Sequence, residues 1–143
     1  NDFLVKNTVD RVLLSSPSSE SEHKLDGVNM GYGEAYGHNW RHAVDGGFIM
    51  YKMSVCPESA QSVYIRFIST DQGKRKFDVL VDGCVIGTLD HSIPKQSSAL
   101  FYYEILPIPE NLLKNKKYIT VKLQAESGNI VGGIFDLRIV KTE

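Results

Sequence analysis

From Val9 onward, apolar and polar residues alternate with a period of two, and little of the chain repeats with a helical period. "FIMYKMSV" sets Ile49, Tyr51, Met53 and Val55 against Phe48, Met50, Lys52 and Ser54. "SVYIRFIST" puts Val63, Ile65 and Phe67 on one face, and "KFDVLVDG" does the same with Phe77, Val79 and Val81. "YITVKLQAE" is the cleanest case, with Ile119, Val121, Leu123 and Ala125 inward and Thr120, Lys122 and Gln124 outward. "GIFDLRIV" turns Phe135, Leu137 and Ile139 in and Asp136 and Arg138 out. Strands with one buried face read this way, because successive side chains point to opposite sides of a sheet.

The punctuation agrees. Asp82-Gly83, between "KFDVLV" and "CVIGTL", is a two-residue hairpin signal, since both turn positions favour positive φ. "PENLLKNKK", opened by Pro109, reads as a single helical turn. "SSPSSES", Ser15 to Ser21, reads as a polar loop. The pattern predicts strands near 9–15, 38–44, 47–56, 62–70, 75–82, 84–90, 99–106, 117–126 and 131–141. Many short strands at regular spacing predict an all-β, antiparallel sandwich or barrel. The expected core includes Ile65, Phe67, Phe77, Val79, Val81, Ile119, Val121, Leu123 and Phe135.

A chain of 143 residues fits one domain, 1–143, with residues 1–8 as a lead segment. It starts at Asn1 without an initiator Met or a signal peptide, as expected of a processed product or a piece of something longer. Formal net charge is −1, and the only dense basic runs, "GKRK" and "KNKK", fall at turns. Nucleic acid is therefore not an expected partner. No apolar run approaches the length of a membrane span, so no membrane partner is expected either. Cys56 and Cys84 have no metal-site spacing; they read as packed strand-end thiols or as a disulfide pair.

The chemistry concentrates between Ser19 and Tyr51, which reads as a long glycine-rich loop leading into a buried strand. The chain has no G-x-S-x-G elbow and no H-E-x-x-H. Glu20 and Glu22 lie two apart and would share a face in extended chain, but no apolar run adjoins them to raise a carboxyl pKa. No catalytic residue is expected. His23 reads as a hydrogen-bonded loop residue, or as a metal ligand with His38 and His42. Trp40 reads as core, or as an exposed platform whose indole face stacks on the C–H face of a sugar. Arg41 is a five-donor fork suited to a carboxylate, and Glu22 is its expected partner. Glu22, His23 and Arg41 are thus an expected structural anchor of the loop. Asp71, Gly73 and Arg75 belong to a hairpin loop, as solvated turn residues or as groups aimed at a ligand.

The same residues carry a resemblance. The chain shows Glu22-His23, then Trp40-Arg41-x-Ala43, "GGFIMY", "DQGKRKFDVLVDG", "YYEILPIPENLL" and a final "GGIFDLR". In this order the motifs resemble the C-terminal β-sandwich domain of bacterial glycoside hydrolases of the β-L-arabinofuranosidase type, over nearly the whole chain from about Val9. The resemblance implies a jelly-roll sandwich, like galactose-binding and carbohydrate-binding modules. It implies no hydrolysis here, because the parent family's active site lies on a helical barrel that nothing in this chain matches. The expected function is that of a non-catalytic accessory domain of a secreted or periplasmic bacterial enzyme. Its expected partners are a glycan, arabinose-containing by the resemblance, and a catalytic domain of the same polypeptide. The alternative is a structural domain that docks on that catalytic domain and binds no sugar. The expected ligand-binding residues are Tyr32, Tyr36, Trp40, Asp71 and Arg75. No cofactor is implied, with a structural calcium ion left open. The segment Asp26 to Asn39 departs from the family pattern by its glycines and tyrosines.

Overall fold

The computed structural model describes residues 2–142. In chain order its elements are α1 (Asp2–Asn7), β1 (Thr8–Val12), α2 (Pro17–Glu22), β2 (Asp26–Ala35), β3 (His38–Ser54), β4 (Gln61–Ile68), β5 (Lys76–Val81), β6 (Cys84–Asp90), β7 (Phe101–Pro107), a 3-10 turn (Glu110–Leu112), β8 (Tyr118–Ala125), β9 (Val131–Ile134) and β10 (Asp136–Lys141). Among the described residues these strands form two sheets. One runs β1-β10-β4-β7; the other runs β2-β3-β8-β5-β6, with β9 pairing beside the first half of β3. Every pairing is antiparallel. The fold is the expected all-β jelly-roll sandwich.

The core forms where the alternation predicts it. Ile49, Tyr51 and Met53 of β3, Phe77, Val79 and Val81 of β5, and Val121 and Leu123 of β8 pack against Val63, Ile65 and Phe67 of β4 and Leu137 and Ile139 of β10. All nine residues expected in the core are buried. Phe135 sits at its margin, edge-on to Phe101 with ring centroids 4.9 Å apart. Asp82 and Gly83 take φ of 48° and 81°, as the hairpin signal requires. The helical turn after Pro109 is present as a 3-10 turn.

Several boundaries differ. The lead segment contains α1, and the polar loop contains α2, started by Pro17, whose fixed φ suits the first helical turn. The segment Asp26 to Asn39 is mostly strand: β2 joins β3 through a two-residue turn in which Tyr36 and Gly37 have φ of 54° and 77°. The strands expected near 38–44 and 47–56 are one strand, bent where Asp45 and Gly46 adopt positive φ. Gln124 Nε2 donates to the Gly46 carbonyl at 2.9 Å and holds that bend. The run 131–141 is two strands in different sheets. The chain switches at Phe135, whose N–H donates to the Arg66 carbonyl at 2.8 Å.

Asp136, expected outward, is 1% exposed. It is buried because four donors fill it: Arg11 Nε at 2.9 Å, Arg138 Nε at 2.6 Å, the Leu137 N–H at 3.1 Å and the Tyr103 hydroxyl. Burial pushes the Asp136 carboxyl up, but these bonds outweigh it and hold it below the usual range. Both cysteines are free thiols, Cys56 half-buried and Cys84 exposed.

Candidate functional site

The β2–β3 hairpin builds the most distinctive surface. Its register places Gly33 opposite Trp40 and Gly31 opposite His42. The side chains of Trp40 and His42 lie across these glycines. A Cβ on Gly33 would come 2.5 Å from Trp40 Cζ2, and one on Gly31 would come 2.6 Å from His42 Nε2. The absence of two β-carbons thus lets both rings approach β2 closely, with centroids 4.9 Å apart and planes tilted by 45°. A Cβ on Gly133 of β9 would lie 3.5 Å from Trp40 Cβ and Cγ, so β9 also borders this side chain.

The loop between β4 and β5 supplies the second wall. Asp71 and Arg75 lie against Gly132, where a Cβ would meet Arg75 Nη1 at 2.8 Å and Asp71 Oδ2 at 2.9 Å. Arg75 is braced by its Nε–H, which donates to the Gln72 carbonyl at 2.7 Å. Between the walls is an open cleft of about 430 Å³, lined by Tyr36, Trp40, His42, Asp71, Arg75 and Phe135 among others.

The electrostatics of the cleft are uneven. Asp71 Oδ2 is buried and has no hydrogen-bond partner among the described residues. Burial pushes the Asp71 carboxyl up, against the pull of Arg75 and His91. Burial also pushes His42 down, and the charges of Arg75 and Arg41 add to this, so its imidazole is neutral at pH 7. The cleft therefore offers a half-buried indole, an exposed phenol, an unfilled carboxylate oxygen, a guanidinium and a neutral imidazole. Such a set suits a ring with one apolar face and a polar rim. Its lining holds a single carboxylate, Asp71, and so lacks the paired carboxylates of glycoside hydrolysis.

Four of the five residues singled out in the sequence as ligand contacts meet here: Tyr36, Trp40, Asp71 and Arg75. Tyr32 does not. Strand alternation sends it to the opposite face of the hairpin, where its ring lies 5.6 Å from the Arg41 guanidinium. It borders a separate cavity of about 480 Å³ with Glu20 and Lys24. His42, Phe135 and the seating glycines were not expected. For His42 and the glycines the signal was present as two glycines spaced by one residue, facing a Trp and a His spaced by one; Phe135 reads only as core.

The anchor differs from expectation in its carboxylate. Arg41 grips Glu20, not Glu22, with Nε donating to Oε2 and Nη2 to Oε1, each at 2.6 Å. The buried Tyr51 hydroxyl donates to the same carboxylate. In extended chain Glu20 and Glu22 would share a face, but in α2 they stand about 200° apart round the helix. Glu20 is therefore buried at 4% exposure, while Glu22 faces solvent. Burial pushes the Glu20 carboxyl up; the bonds from Arg41 and Tyr51 overcome this and leave it lowered. Burial and the Glu20 carboxylate push the Tyr51 hydroxyl far up.

His23 is the second half of the anchor. Its Nδ1 meets the Ser19 carbonyl at 2.7 Å and its Nε2 meets Asp10 Oδ1 at 2.8 Å. Both partners are acceptors, so both ring nitrogens carry protons and the ring is an imidazolium. Burial pushes His23 down, yet the bond to Asp10 outweighs it and the net shift is upward. The other Asp10 oxygen accepts the Ser54 N–H at 2.8 Å, which ties β1 and α2 to β3. Among the described residues, no three His, Cys, Asp or Glu side chains gather to hold a metal ion.

The fold has relatives of known structure. A family 35 carbohydrate binding module from an environmental isolate is 19% identical, with 92% of each chain covered and a TM-score of 0.57. The family 35 module from Clostridium thermocellum is 13% identical over 80% of this chain and 90% of that one, with a TM-score of 0.57. The GH26-CBM35 β-(1,4)-mannanase of Podospora anserina is 13% identical and matches 85% of this chain but 26% of its own, with a TM-score of 0.57. At these identities the likeness is one of fold. No curated protein sequence matches the chain. One family model, described as a family of unknown function (DUF6805), matches residues 3–140, and the chain accordingly belongs to DUF6805.

Proposed function

We propose that this domain is a non-catalytic glycan-binding module and that the Trp40 cleft is its binding site. One observation carries the reading: a half-buried indole seated on Gly33 lies in the same cleft as a buried carboxylate oxygen with no partner, on Asp71. A sugar ring satisfies both at once. Its C–H face stacks on Trp40, one hydroxyl donates to Asp71, and Arg75 donates to another. Tyr36, 70% exposed at the hairpin tip, extends the platform. The fold shared with family 35 modules supports this reading.

The parent in this proposal is a bacterial, secreted or periplasmic glycoside hydrolase of the β-L-arabinofuranosidase type, and the glycan is arabinose-containing. The order of sequence motifs supports that parent. The mannanase, in which the matching part is a minor share of the chain, supports a catalytic domain as the partner on the same polypeptide. Screening the domain and its Trp40→Ala variant on immobilised plant and microbial polysaccharides tests the proposal. Retention on arabinose-containing glycans, lost in Trp40→Ala, is the expected result. Retention on none of them, with tight association to a catalytic domain, would favour a docking role without sugar.

A further inference from the structure

We propose that a second site, distinct from the Trp40 cleft, binds an oxyanion at Arg66, Arg11 and His38. The tip of the β2–β3 hairpin and Phe135 separate the two. On the far side of Phe135 is a cavity of about 340 Å³, lined by Arg11, Ser16, His38, Asn39 and Arg66 among others. Arg66 comes from β4. Its Nη2 donates to the Phe135 carbonyl at 3.2 Å and reaches His38 Nδ1 at 3.4 Å. The guanidinium lies 5.0 Å from the centre of the Phe101 ring. Its Nε is buried and has no hydrogen-bond partner among the described residues. A buried charged donor without an acceptor is costly, so the position calls for one.

The charges around it are unbalanced. Arg11 and Arg66 line the cavity together with a single buried carboxylate, Asp136, which is opposite Arg66 on β10 and is also held by Arg138 from outside the cavity. Asp136 already accepts from Arg11, Arg138, Tyr103 and the Leu137 N–H, so it has little capacity left for Arg66. Asp10, the next carboxylate along β1, is engaged by His23. Glu34, opposite Asn39 in the hairpin, does not line the cavity. Arg11 is 42% exposed at its side chain and keeps donors beyond the Nε that holds Asp136. With His38 Nδ1 accepting from Arg66, its Nε2–H is the remaining ring donor. Two guanidinium forks and an imidazole N–H around one cavity match a planar carboxylate or a sulfate ester.

If the cleft holds a glycan as proposed above, the two sites form one track. Tyr36 lines the cleft, Gly37 lines the anion cavity, and Phe135 lines both. A chain seated on Trp40 and continuing past the hairpin tip would bring the next residue's acidic substituent to Arg66. The oxyanion site stands or falls independently of that track.

The test is an NMR titration of the ¹⁵N-labelled domain with sodium sulfate and, separately, sodium acetate, against sodium chloride at matched ionic strength. The arginine Nε–Hε signals and the His38 ring are followed. Saturable shifts at Arg66, Arg11 and His38 are expected. A response to sulfate alone assigns a sulfate ester, and one to acetate assigns a carboxylate. Arg66→Gln should abolish the shifts at Arg11 and His38. Arg11→Gln, which leaves Asp136 its other donors, should weaken them several-fold and serves if Arg66→Gln does not fold. Shifts no different from those with chloride, or spread evenly over exposed lysines and arginines, would overturn the site. A glycan bound in the Trp40 cleft with no anion response at Arg66 would sink this proposal and leave the glycan reading intact. An anion response without any glycan binding would do the reverse. In the track, an oligosaccharide bearing glucuronate should bind several-fold more tightly than its neutral counterpart, and Arg66→Gln should erase the difference.

Discussion

Arg41 of β3 and Glu20 of α2 form a two-pronged ion pair that ties a short surface helix to the six-stranded sheet. The side chains are 11% and 6% exposed, so the pair is nearly dry. Removing one partner leaves the other charge buried. Arg41→Ala and Glu20→Ala should each destabilise the domain by about 3–5 kcal/mol in urea unfolding. Arg41→Lys should recover little, since an ammonium cannot replace both prongs. Glu22→Ala, two residues from Glu20 but solvent-facing, should cost less than about 0.5 kcal/mol. Equal costs for Glu20→Ala and Glu22→Ala would contradict the pairing.

The anchor is also pH-dependent, with opposite signs at its two ends. His23 is raised in the folded state by Asp10, so its contribution is whole below its ordinary value of 6.5 and drains away as pH rises through the folded value. Glu20 is lowered, so its contribution is whole above 4.5 and is lost as pH falls through the folded value. Stability measured from pH 5 to 9 should therefore decline on the alkaline side, and His23→Gln should flatten that decline. An unchanged slope in His23→Gln would place the titrating group elsewhere.

Phe77 is fully buried against Phe67, with ring centroids 5.9 Å apart. Truncation to Ala should cost about 3–5 kcal/mol, the transfer term plus the cavity left behind. A loss under about 1 kcal/mol would show that the two sheets do not pack through this layer.

Gly33 is the seat of Trp40. An alanine there would place its Cβ 2.5 Å from the indole, so the ring must lift. Gly33→Ala should shift the emission maximum of Trp40, the only tryptophan, while leaving the core transition in place. An emission spectrum like that of the wild type would mean that the indole does not rest on Gly33.

Much of this fold was legible because the alternation reports one buried face per strand. Ile119, Val121, Leu123 and Ala125 are all buried, and Asp82-Gly83 turns as its residue types require. β2 was not legible. It is an edge strand with no buried residue, and its glycines are shaped by neighbouring side chains rather than by a core. The short α2 was hidden by serines, and its curvature moved the ion pair from Glu22 to Glu20. Asp136 broke the polar-outward rule because its four donors come from Leu137, Arg138 and two distant strands, which spacing cannot reveal. Four of the five expected contacts meet in one cleft. Tyr32 was drawn in because a loop has no alternation, whereas a hairpin sends Tyr32 and Trp40 to opposite faces.

The central claim is that Trp40 stacks on a sugar in the cleft it shares with Asp71 and Arg75. Its intrinsic fluorescence, followed while arabinose-containing oligosaccharides are titrated in, tests this most directly. A saturable change with a Kd of roughly 10 μM to 1 mM is predicted, corresponding to about 4–7 kcal/mol. Asp71→Asn should weaken binding several-fold, and Trp40→Ala should abolish it when followed by calorimetry. Calorimetric binding of the same sugars with a silent Trp40, undiminished in Trp40→Ala, would contradict the account.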